Sequence, residues 1–91
     1  MYYIDVAWRH SNPGYPIRLI SELDERPYEM RKLEFFADGS VGYASVDAEF
    51  QGAQLGELPV PSLGDVNLDP QFVGVAIDAA AFEVLWKRYV A

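Results

Sequence analysis

The residues with the greatest chemical capacity lie close together near the start of the chain, in the stretch WRHSNPGYP at positions 8–16. This stretch contains the single histidine, His10, directly before Ser11. Such a pair suggests a general base beside a nucleophile. Adjacent strand residues point to opposite faces, however, and no orienting acid or oxyanion-hole motif accompanies them. We therefore expect no enzymatic activity, and a proline-fixed turn after the first strand is the simpler interpretation.

Binding of an anion is the second chemistry that these residue types allow. Arginine forks suit phosphate groups, and aromatic rings stack on bases. The predicted ligand-binding set is basic, aromatic and polar: Trp8, Arg9, His10, Ser11, Asn12, Arg26, Tyr28, Arg31 and Lys32. In the alternative interpretation the cations pair with carboxylates, for example Arg31 with Glu22 or Glu29 across strands. His10 is equally consistent with a structural role at a strand end.

Metal and cofactor sites receive no support from the sequence. The chain has no cysteine and one histidine, so carboxylates alone would have to hold a metal. The stretch DVNLD lacks complete calcium-loop spacing, and the glycine pairs lack the helix and lysine of a phosphate loop. We expect no metal and no cofactor.

Charge is distributed unevenly along the chain. The 91 residues carry a formal net charge of −7, and positions 33–86 contain nine acidic residues without any lysine or arginine. This excess disfavours bulk nucleic acid and anionic membranes, and it complements a basic protein partner. The start of the chain lacks a signal-peptide pattern, and no apolar run approaches the roughly 20 residues that span a bilayer. We expect a cytoplasmic protein that, given its small size, forms a homo-oligomer.

Apolar periodicity predicts one domain over residues 1–91. Alternating residues indicate strands at 2–9, 17–23, 28–36 and 41–46, with a hairpin at Asp38-Gly39 and a short candidate strand at 73–77. Ser62 is placed to cap a helical turn, and Asp78 to cap a helix over Ala79–Val90. The predicted fold is α+β, with a mostly antiparallel sheet of four to five strands and one C-terminal amphipathic helix packed on a face.

Several longer patterns extend over nearly the whole chain. They are W-x-H-S-N-P-x-x-P from Trp8, S-E-L-D-x-R-x-x-E-x-R-K-x-E from Ser21, F-x-D-G from Phe36, L-G-E-L-P-V-P from Leu55, N-x-D-P from Asn67 and F-E-x-x-W from Phe82. Together they resemble a small single-domain family of bacteria and their phages whose function is unknown. The resemblance implies shared fold more than a shared activity.

Two functions are plausible for a small stand-alone protein of this kind. The leading hypothesis, an analogy with compact phage proteins, is a non-catalytic sponge that sequesters a small nucleotide-derived immune signal in an Arg/aromatic pocket. The alternative is an immunity protein that neutralises a basic toxin through its acidic surface. Convergence of the arginines on an aromatic-lined pocket would favour the first, and pairing of scattered arginines with carboxylates would count against it.

Overall fold

The protein is an antiparallel sheet with one long helix on one face and a short helix on the other. The computed structural model describes residues 1–90. The strands are β1 (Tyr2–Trp8), β2 (Arg18–Leu23), β3 (Glu29–Phe35), β4 (Val41–Ser45), β5 (Glu49–Phe50) and β6 (Phe72–Ile77), and the helices are α1 (Leu63–Val66) and α2 (Ala79–Val90). The strand order is β5-β4-β3-β2-β1-β6, and every neighbouring pair is antiparallel.

The predicted α+β class is confirmed, but the predicted strand number is wrong. The sheet has six strands rather than four to five. The missed strand is β5, which contains only two residues, both exposed. A strand this short presents no alternating pattern, so periodicity cannot detect it. The predicted hairpin is present between β3 and β4, where Gly39 takes a φ of +90° that suits glycine.

Helix α2 covers one face of the sheet, as predicted. It begins after Asp78, whose carboxylate accepts a hydrogen bond of 2.7 Å from the amide of Ala81. Its apolar stripe is centred on Phe82, which is 0% exposed and packs against Ile20 and Leu33 of the sheet. The rest of the stripe, Leu85, Trp86, Tyr89 and Val90, packs around this cluster.

The opposite face is covered by residues 60–69, here called the covering segment. Ile4, Val6 and Leu23 form a buried cluster on this face, and Val60, Leu63, Val66 and Phe72 pack against it. The segment contains α1, and the Ser62 hydroxyl accepts a hydrogen bond from the Asp65 amide, as the sequence predicts. The alternation of β1 therefore sends Ile4 and Val6 to this side, whereas Tyr3 packs on the α2 side.

One side-chain amide attaches the covering segment to β6. Asn67 donates to the carbonyl of Gly74 over 2.9 Å and accepts from the amide of the same residue over 2.6 Å. A Cβ atom at position 74 would lie 2.8 Å from Cδ2 of Leu63, so a larger residue there would force the Leu63 side chain to shift. The short helix thus lies directly on the edge strand. Within residues 1–90, no helix is long and apolar enough to cross a membrane.

Candidate ligand-binding cavity

The predicted ligand-binding residues do not gather in one place, and Arg31 lies on the α2 side. Its guanidinium donates to both carboxylate oxygens of Glu22, each over 2.7 Å, and to both oxygens of Glu83 in α2, over 3.0 and 2.8 Å. It also stacks over the rings of Phe82 and Trp86. The hydrogen bonds from Arg31 hold the pKa of both carboxyl groups below the ordinary value, because they favour the charged form. Arg31 therefore ties the helix to the sheet.

Lys32 and Arg26 lie elsewhere, and each is also paired with a carboxylate. Lys32, only 8% exposed, lies on the opposite face of β3 and donates to Glu29 over 3.2 Å. Arg26, in the turn between β2 and β3, contacts Asp24 over 3.4 Å and lies over the ring of Tyr28. These contacts match the alternative interpretation from the sequence, in which the cations pair with carboxylates.

The His10-Ser11 pair lies in a loop in which both histidine nitrogens are occupied. The amide of Asn12 donates to Nδ1 of His10 over 3.0 Å. The proton of the neutral ring therefore lies on Nε2, which donates to the carbonyl of Pro16 over 2.8 Å. Ser11 is exposed. In this arrangement His10 fixes the turn after β1, and neither nitrogen is free to act as a base.

Trp8 is the centre of an aromatic cluster at the end of the sheet. Its ring stacks on Tyr15 and on Phe72, with centroids 5.6 Å away in each case, and meets the edge of His10 at 4.5 Å. Arg9 is exposed, and its guanidinium forms no salt bridge with any residue from 1 to 90. The structure thus brings together Trp8 to Asn12 at the end of β1 and, separately, Arg26 with Tyr28, but the nine predicted residues do not form a shared pocket.

A cavity lies on the face opposite α2, between the sheet and the covering segment. We call it the sheet-face cavity; its volume is about 430 Å³. Most of its wall is apolar and comes from Ile4, Val6, Leu19, Val60 and Phe72. β1 and β2 form its floor because their apolar residues alternate towards this face, and the covering segment forms its roof.

Two polar groups in this cavity have unused hydrogen-bonding capacity. Ser21 is 3% exposed and lines the cavity, and its hydroxyl makes no hydrogen bond to residues 1–90. No sealed polar side-chain atom in that range lacks a partner, so the hydroxyl is open to the cavity. The side chain of Glu29 is 10% exposed, and its Oε1 accepts from Lys32 and from the amide of Gly56. Its Oε2 has no partner within the described chain.

The remaining polar lining is acidic. Asp65 and Asp69 are exposed residues of the covering segment that line the cavity, and neither forms a salt bridge within residues 1–90. No lysine or arginine lines it. Among the described residues, no three histidine, aspartate or glutamate side chains are grouped to hold a metal ion.

Comparison with known protein families identifies the family of this chain. The family model described as "Domain of unknown function (DUF6881)" matches residues 2–91. The chain is a member of the DUF6881 family. No curated protein and no solved structure matches it.

The predicted resemblance to a small family of unknown function is thereby confirmed at the level of the domain. The DUF6881 description names no activity, so the chemistry of this domain has to be inferred from its geometry. Sequence reasoning did not select Ser21 or Glu29 as site residues. One available signal was that Ser21 interrupts the apolar face of β2 between Leu19 and Leu23.

Proposed function

We propose that this DUF6881 domain is a non-catalytic binding protein that holds a small ligand in the sheet-face cavity. The observation that carries the proposal is the open Ser21 hydroxyl within an apolar cavity of about 430 Å³. Ligand sites typically occupy about 300–1,000 Å³ and combine apolar walls with a few polar groups that orient the ligand. Because the Ser21 hydroxyl opens into the cavity, it is available to donate or accept a hydrogen bond to a ligand or to water.

The side chains near the cavity favour binding over catalysis. Ser21 has no histidine beside it, because the single histidine is bonded through both nitrogens in the 8–16 loop. A serine nucleophile needs a base within hydrogen-bonding distance. We further propose that the protein has a bacterial or phage origin, lies in the cytoplasm and forms a homo-oligomer, as expected from the sequence.

Sequestration of a nucleotide-derived signal is the less supported form of this proposal. A phosphate ligand needs converging cations. Here Arg26, Arg31 and Lys32 are separated, and each is bonded to carboxylates. We therefore do not expect a nucleotide to be the ligand, but nucleotides are included among the compounds tested.

A second candidate function is binding of a basic protein, the immunity-type alternative. Two leucines, Leu58 just before the covering segment and Leu68 within it, are 77% and 80% exposed. The exposed carboxylates of Glu57, Asp65 and Asp69 lie in the same part of the chain. Apolar side chains among carboxylates complement a basic, partly apolar surface.

An NMR titration tests the leading candidate. A library of cationic, neutral and anionic compounds, including nucleotide second messengers, is added to ¹⁵N-labelled protein. We expect ligand-dependent shifts at cavity residues, and their loss when Val6→Phe fills the cavity. Val84→Phe is the matched control, because Val84 is 67% exposed on α2. Thermal unfolding establishes that both variants fold.

Two results would count against ligand binding. The first is an absence of cavity shifts with every compound at millimolar concentration. The second is unchanged binding in folded Val6→Phe. Binding of a basic nuclease that is lost in the double variant Leu58→Ser/Leu68→Ser but retained in Val6→Phe would favour the second candidate.

A further inference from the structure

The charge of the sheet-face cavity indicates which kind of ligand it accepts. Three carboxylates line it, from Glu29, Asp65 and Asp69, and no cationic side chain does. Asp65 and Asp69 have no cationic partner among residues 1–90. Their negative potential therefore extends into the opening, where it attracts cations and repels anions.

Glu29 of the cavity wall also belongs to a largely buried cluster with excess negative charge. The ammonium of Lys32 lies between two carboxylates, 3.2 Å from Glu29 and 3.4 Å from Glu34. The side chains of these two glutamates are only 10% and 13% exposed. One positive charge thus serves two carboxylates, and a buried charge without full pairing is unfavourable.

The geometry of Glu29 leaves one position for an additional donor. Both of its bonds, from Lys32 and from the Gly56 amide, go to Oε1. Its Oε2 is unpartnered within residues 1–90 and belongs to a residue that lines the cavity. The open hydroxyl of Ser21 is an independent second polar group in the same cavity, and it is able to accept or donate a hydrogen bond.

We infer that the ligand is a cationic amphiphile: a compact aliphatic or aromatic body that carries one ammonium or guanidinium group. The cation donates to Glu29 and is attracted by Asp65 and Asp69, while the apolar body packs between β1, β2 and the covering segment. This inference rests on the proposed ligand-binding function and adds the chemical class of the ligand.

The test uses three small probes of similar shape and different charge. They are 2-phenylethylamine as the cation, 2-phenylethanol as the neutral analogue and phenylacetate as the anion, each titrated into ¹⁵N-labelled protein at neutral pH and low salt. We expect the amine to shift the amides around Ser21 and Glu29 and to bind at least about tenfold more tightly than the alcohol, since a charge-assisted hydrogen bond is stronger than a neutral one. Phenylacetate is expected not to bind.

A matched pair of variants locates the charge. Glu29→Gln keeps the size of the side chain and removes its charge, and we expect it to weaken amine binding about tenfold. Glu49→Gln makes the same change on the exposed strand β5 and is expected to leave binding unchanged. If Glu29→Gln does not fold, Asp69→Asn on the exposed rim tests the same attraction with a smaller expected loss.

The outcomes separate the two proposals. Equal binding of amine and alcohol, with no effect of Glu29→Gln, overturns the inference about charge but leaves the cavity as a ligand site. If phenylacetate or a nucleotide binds in the cavity and the amine does not, the inference about charge is likewise overturned and the cavity remains a ligand site. An amine that still binds to folded Val6→Phe overturns both, because its site then lies elsewhere. Absence of amine binding at millimolar concentration also overturns the inference.

Discussion

Replacement of Arg31 by methionine is the sharpest test of how the helix is held on the sheet. Arg31→Met keeps a long side chain against Phe82 and Trp86 but removes all four hydrogen bonds to Glu22 and Glu83. The side chain of Glu22 is 9% exposed, so its carboxylate is left buried without its main partner.

The expected loss of stability follows from this burial. Removal of one partner of a buried ion pair costs about 3–5 kcal/mol. The lower limit applies here, because the side chain of Arg31 is 22% exposed and that of Glu83 is 41% exposed, so water screens the outer pair. We expect a decrease of about 3 kcal/mol in the free energy of unfolding at pH 7, or about 12–24 °C in Tm for a domain of this size.

The same contacts make the stability depend on pH in a defined direction. In the folded protein Arg31 lowers the pKa of Glu22 below its ordinary value of 4.5, so below about pH 4.5 the unfolded state binds more protons than the folded state. The stabilisation is complete above that pH and is lost as pH falls through the folded pKa. Urea unfolding measures the free energy of unfolding of the wild type and of Arg31→Met at pH 7 and pH 3. We expect the difference between the two proteins to be smaller at pH 3 than at pH 7.

A double variant provides the control. Glu22→Gln/Arg31→Met contains no unpaired buried carboxylate at position 22, so we expect it to be more stable than Arg31→Met alone. An exposed ion pair contributes less than about 1 kcal/mol. If Arg31→Met lowers the free energy of unfolding at pH 7 by no more than that, Arg31 does not hold the helix on the sheet as a buried ion pair. The same conclusion follows if the double variant is no more stable than the single one.

Three further predictions concern packing and the N-terminal loop. Phe82→Ala removes a fully buried ring and is expected to cost about 3–5 kcal/mol in chemical denaturation; a loss below about 1 kcal/mol would contradict its central position in the core. Gly74→Ala introduces a Cβ 2.8 Å from Cδ2 of Leu63, so we expect the free energy of unfolding to fall by about 1–3 kcal/mol and ligand binding in the cavity to weaken. An unchanged Tm would be inconsistent with this contact. ¹⁵N NMR of neutral His10 is expected to show the proton on Nε2, and an Nδ1–H ring would exclude the hydrogen bond from Asn12.

Elements with local signals were predictable from the sequence. Helix α2 is an example, because the Asp78 cap and the apolar stripe both lie within its own residues. β5 is the counterexample. Its two residues are held by pairing with β4, where Tyr43 stacks on Phe50 at 5.2 Å, and this contact depends on tertiary structure.

The candidate site could not be predicted from the sequence, because it too depends on tertiary contacts rather than on local sequence signals. The predicted set rests on residue type, which carries no information about the partner that a charged side chain meets after folding. Arg31 pairs with Glu83, 52 positions away, and no short-range sequence pattern predicts a contact over that separation. The sheet-face cavity exists because the covering segment lies across β1 and β2, so Ser21 and Glu29 become neighbours of a cavity only in the folded chain.

The attachment of Asn67 to Gly74 has a consequence for solubility. β6 is an edge strand, and an open edge without charged residues or proline offers its main-chain groups to other chains. The Asn67 amide satisfies both groups of Gly74 near the middle of this edge, where an intruding strand would otherwise pair. Since the same segment roofs the cavity, a substitution that loosens the roof also exposes the edge. Protection of the sheet edge and the shape of the cavity therefore depend on one short piece of chain.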